Sequence, residues 1–88
     1  MTIEQHLNNV FYSAAKQEEE AMRGKIYSYK FFSNNIMSPD LLAEGKCFVI
    51  SVNYSRTIDC NMITVEDVET HQRYTGNEFR FVLEEERR

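Results

Sequence analysis

The stretch Lys46–Glu69, reading KCFVISVNYS, RTID and CNMITVEDVE in succession, constrains the fold more than any other part of the chain. Phe48, Ile50, Val52 and Tyr54 recur at period two, the spacing of one strand face, with Cys47, Val49, Ser51, Asn53 and Ser55 on the other. Ile63 and Val65 supply a second arm. A loop at Thr57-Ile58-Asp59-Cys60 pairs Arg56 with Asn61, Tyr54 with Ile63 and Val52 with Val65, which sets these apolar residues on a single face. The predicted hairpin arms are therefore Cys47–Ser55 and Met62–Glu69. Val68 is out of phase with Val65, so a bulge is expected near Glu66-Asp67.

The flanking segments read as cover for this hairpin. A helix is expected from Ile3 to Arg23, with Thr2 and Gln5 at capping-box spacing and Gly24 at the stop. Ile3, Leu7, Val10, Phe11, Ala14, Ala15, Ala21 and Met22 form its apolar arc, while Glu19 and Arg23 pair on the outer side. Glu18 interrupts the arc near the helix end, where it can reach water. Lys25–Phe32 reads as a strand with Tyr27, Tyr29 and Phe31 inward. Ser33-Asn34-Asn35 is turn chemistry, and Ser38-Pro39-Asp40 opens a short helix to Glu44, with Leu41 or Leu42 plugging the core. Gln72-Arg73-Tyr74 forms a brief strand before Gly76-Asn77. Glu78–Glu84 alternates, with Phe79, Phe81 and Leu83 inward and Arg80 and Val82 outward; the charged end is a solvated tail.

The chain of 88 residues is read as one domain, 1–88, with no repeat or linker. The predicted fold is α+β: an N-terminal helix packed on a curved antiparallel sheet of four to five strands. A small SH3-like barrel with an N-terminal helix is the alternative, on strand order alone. No run is long enough to span a membrane, and the start lacks the regions of a secretory signal, so the expected location is cytoplasmic. In the predicted register Cys47 and Cys60 lie on the order of 30 Å apart, too far for a disulfide, and two reduced thiols fit that location.

Chemistry is sparse. Gly24, Gly45 and Gly76 are too dispersed for a phosphate loop, and paired cysteine or histidine motifs are absent, so no cofactor or metal is expected. His6, on the border of the helix arc, lacks a second ligand nearby. Cys60 with His71 is the only nucleophile and base to consider, and the register puts them at opposite ends of the hairpin. Asp59 next to Cys60 would also raise the thiol pKa. The chain is expected not to be an enzyme.

The formal net charge is −4, and each half of the chain carries −2, so no basic lobe favours nucleic acid. The clusters Glu18-Glu19-Glu20, Glu66-Asp67-Glu69 and Glu84-Glu85-Glu86 read first as solubilising charge; a nucleic-acid mimic is the lesser alternative, since it would want more charge arrayed on one face. The expected function is that of a small acidic, non-catalytic protein binding another protein, as phage and mobile-element regulators or inhibitors do. Tyr12 on the polar side of the helix, with Glu19 and Glu20, is the candidate contact surface. The alternative is a sheet surface with Val49, Val82, Arg73 and Tyr74. There a nucleic-acid-binding small barrel, using Arg73, Tyr74 and Arg80, or a homo-oligomeric structural protein competes. Ile26, Phe32 and Cys47 also fall on that open face, and strand pairing at an edge is a further route to self-association.

Overall fold

The computed structural model describes residues 3–35 and 37–86, with side chains from Val10 onward. Helix α1 (Ile3–Met22) is followed by β1 (Ile26–Phe32), β2 (Leu41–Ser55), β3 (Cys60–Asp67), β4 (Arg73–Asn77), a 3-10 turn (Glu78–Arg80) and β5 (Phe81–Glu85). All strand pairings are antiparallel, in the order β4-β3-β2-β1-β5. This is the predicted α+β arrangement of one helix on a five-stranded sheet. The sheet does not close into a barrel: β4 and β5 are its two free edges. Thr2 and the side chains of Ile3, Gln5, His6 and Leu7 fall outside what is described, as do Arg87 and Arg88.

The sheet curls until its concave face packs against itself. Tyr74 on β4 lies 5.5 Å from the Phe31 ring and 6.0 Å from the Tyr29 ring on β1, although two strands separate them in the hydrogen-bonded order. Phe31 also meets Phe81 of β5 at 4.6 Å. With Tyr27, Cys47, Val49, Val52, Ile63 and Val65 these rings make the core. From α1, only Ala15 joins the buried set among the described residues. The described part of the helix lies against β2, where Lys16 Nζ donates to Asn53 Oδ1 at 2.8 Å and Glu19 accepts the Val52 N–H. Phe11 stacks on Tyr54 at 4.9 Å, and Tyr12 meets the same ring edge-on at 5.5 Å.

The curl originates in β2. Its pairing with β3 shifts register between Val49 and Ser51, so the bulge falls at Ile50 and not near Glu66-Asp67. The extra residue reverses the inward phase. Cys47 and Val49 face the core before it, and Val52 after it, with Tyr54 half-buried beyond. Phe48 and Ile50, expected inside, are exposed on the convex side. Beyond the bulge Val52 pairs with Ile63, Tyr54 with Asn61 and Ser55 with Cys60, so the turn is Arg56–Asp59, one residue earlier than expected. The single-face expectation failed because an unbroken period of two was assumed from Cys47 to Ser55, across the bulge.

Two further expectations are corrected. Leu41–Glu44 extends β2 against β1 in place of a short helix, and Leu41 and Leu42 are exposed. Ser33 N–H donates to Asp40 C=O at 2.8 Å and Asp40 N–H to Ser33 Oγ at 2.9 Å; this clasp returns the chain directly as a strand. In the last segment, Asn77 Oδ1 accepts the Phe79 N–H and starts a 3-10 turn. That turn throws Phe79 outward, 80% exposed, and brings the Arg80 guanidinium over the Phe31 ring at 4.5 Å. Phe81 is buried and Leu83 packs beside it, both as expected, and Val82 is exposed.

Candidate functional site

β5 is short, and among the described residues no strand lies on its outer side. The Glu86 N–H donates to Ile26 C=O at 3.0 Å, which fixes the alternation along the strand. The N–H groups of Val82 and Glu84 consequently face β1, while those of Leu83 and Glu85 face outward. These outward groups, with their carbonyls, are what another strand would pair with. On β4 the Asp67 N–H bond to Gln72 C=O, at 2.9 Å, sets the same alternation and turns the Arg73, Thr75 and Asn77 N–H groups outward. The Arg73 side chain there is paired with Glu66 at 3.0 Å.

At the Phe81 end of β5 a cleft of about 460 Å³ opens between residues 33–35 with Pro39 on one side and the 3-10 turn on the other. Phe32, Pro39, Phe79 and Val82 give it apolar walls. Its polar lining is Ser33, Asn34, Asn35, Asn77 and Arg80. Asn35 Oδ1 is occupied by the Met37 and Ser38 N–H groups and Asn77 Oδ1 by that of Phe79, leaving the amide NH2 ends unengaged among the described residues. Arg80 Nε donates to Phe32 C=O at 2.9 Å. Its two terminal nitrogens have no hydrogen-bond partner and no carboxylate among the described residues. Gly76 makes room for this arginine: a Cβ there would lie 3.0 Å from the Phe31 ring and 3.1 Å from Arg80 Nη1.

The residues singled out from sequence do not form one surface. Tyr12 is 43% exposed but leans on Tyr54. Glu19 points inward, its side chain 13% exposed. It accepts the Val52 N–H at 2.9 Å, a donor beside the bulge, and pairs with Lys16 at 3.3 Å. The Val52 N–H bond, with the Lys16 and Arg23 charges, holds its carboxyl below the usual range against the opposing effect of burial. Glu20 is exposed and paired with Arg23. Val49 is buried in the core, and Tyr74 half-buried in it, so neither belongs to an open face. Val82, 48% exposed, does lie on the convex face beside the cleft. The cleft itself escaped sequence reading, because strict alternation placed Phe79 inside and Arg80 outside. Asn77, a capping residue just before Glu78, was the signal that the alternation is interrupted.

Among the described residues no cluster of histidine, cysteine or carboxylate side chains could hold a metal ion, and no helix is long and apolar enough to cross a membrane. Cys60 and His71 sit at opposite ends of β3. Both thiols are free, and burial pushes Cys47 up to about 11. Burial also raises Cys60, with help from Glu78 and Asp59. Comparison with protein-family models, curated proteins and solved structures returned no match.

Proposed function

We propose that this chain is a non-catalytic binding protein that takes up an extended segment of another protein along the outer edge of β5. The observation that carries this reading is the open edge, with outward N–H groups at Leu83 and Glu85, beside an apolar cleft. Strand addition draws affinity from main-chain hydrogen bonds and specificity from the pockets that alternate side chains meet. Here the exposed Val82 and Phe79 supply apolar contact next to the ladder.

Glu85→Pro tests it. The Glu85 N–H points away from β1, so proline there removes an edge donor without breaking a ladder bond inside the chain. Peptides selected from a displayed random library should bind the natural chain and lose binding to the variant. Selected peptides that bind both forms equally would overturn the reading.

A second reading is favoured by the match between the two edges. β4 and β5 are each five residues long, and antiparallel pairing of one copy's β4 with another's β5 sets Arg73 opposite Glu85. Such head-to-tail contacts close into rings or run on as filaments.

A further inference from the structure

We infer that the cleft at the start of β5 is a receptor for a free C-terminal carboxylate, so that the segment taken up is a protein C-terminus. This rests on the strand-addition reading and adds the end group and direction. A strand added antiparallel to β5 runs toward Phe81, so its C-terminal end arrives at the cleft. Donors stand among its polar groups: the Arg80 guanidinium, stacked over Phe31 with Nη1 beside Gly76, and the amide ends of Asn35 and Asn77. None of the nine residues lining the cleft is acidic. A half-buried guanidinium with no carboxylate of its own, beside donors and no acid, is complementary to an anion with two acceptor oxygens. A peptide terminus supplies that anion on the main chain of a strand already in register, where an internal segment would need an acidic side chain to supply one.

The side chains wanted at the terminus follow from the walls. Phe32, Pro39, Phe79 and Val82 fit an apolar last residue. Two positions earlier on the same face, the ligand passes Glu84, which is exposed and has no cation partner among the described residues. A lysine or arginine fits there.

The probe is a fluorescein-labelled hexapeptide ending in Lys-Thr-Leu, compared with its C-terminal amide by fluorescence anisotropy. The acid should bind, and the amide at least about tenfold more weakly. Phe79 is almost fully exposed, so Phe79→Ser should leave melting unchanged and weaken the acid form, and Arg80→Gln should erase the difference between acid and amide. Equal affinity of acid and amide, or no effect of Phe79→Ser, would overturn the carboxylate receptor. Failure of both peptides, while library-selected sequences still depend on Glu85, would overturn it too and leave the edge reading standing. Selected sequences indifferent to Glu85→Pro would bring down the edge reading itself.

Discussion

Asp67 is the buried acid that holds the closed end of the curl. One oxygen accepts the Tyr29 hydroxyl at 2.6 Å, and the other accepts the Glu69 and Thr70 N–H groups at 2.8 and 3.0 Å. Gly45 makes the first contact possible, because a Cβ there would lie 3.0 Å from Asp67 Oδ2 on a backbone at φ 151°. Gly45→Ala should therefore destabilise by about 1–3 kcal/mol in urea titration, through strain and a displaced carboxylate. The pair also sets a pH window. The Tyr29 hydroxyl and the Thr70 N–H lower the Asp67 pKa, so its contribution is full above the unfolded value of 3.8 and is lost as pH falls through the lower folded value. Burial and the Asp67 carboxylate raise the Tyr29 pKa, so that contribution is full below 10.0 and is lost as pH rises beyond it. Urea midpoints against pH should fall at both ends. Asp67→Asn should flatten the acid limb and Tyr29→Phe the alkaline one, and an unchanged acid limb in the first variant would refute the assignment.

Among elements, β1 was the most legible, because Tyr27, Tyr29 and Phe31 alternate without interruption and all three are buried. The helix stop was equally plain, since Gly24 adopts φ 75°, which favours glycine. β2 was legible as a strand and not as two half-strands of opposite phase. Cys47-x-Val49 and Val52-x-Tyr54 are separate inward pairs, and only the partner strand reveals where the phase breaks. Asp67 was hidden in an acidic run, although it continues the inward spacing of Ile63 and Val65. The cleft was illegible for a different reason: it joins residues more than forty positions apart across a loop and a 3-10 turn. Helix and sheet are joined at the bulge, where Glu19 satisfies a backbone donor. Glu19→Ala removes that acceptor and should cost about 1–3 kcal/mol, whereas Glu19→Gln keeps an oxygen in reach and should recover part of the loss. Equal stability of all three chains would mean that water serves the bulge as well.

At the scale of the whole molecule, the sheet folds its aromatic face inward and leaves two edges, β4 and β5. Whether those edges find each other is a matter of concentration. Sedimentation velocity should show mass rising with concentration if β4 and β5 pair between copies, and Glu85→Pro should hold the chain at one mass throughout. Amide hydrogen exchange reads the proposed binding edge, the outer side of β5, directly. In dilute free chain the Val82 and Glu84 amides should exchange slowly, and those of Leu83 and Glu85 fast. Saturation with the hexapeptide acid should slow Leu83 and Glu85 and leave α1 as it was. Protection that appears at Tyr12 and Glu20, with Leu83 and Glu85 still exchanging freely, would contradict the account and move the working surface to the helix.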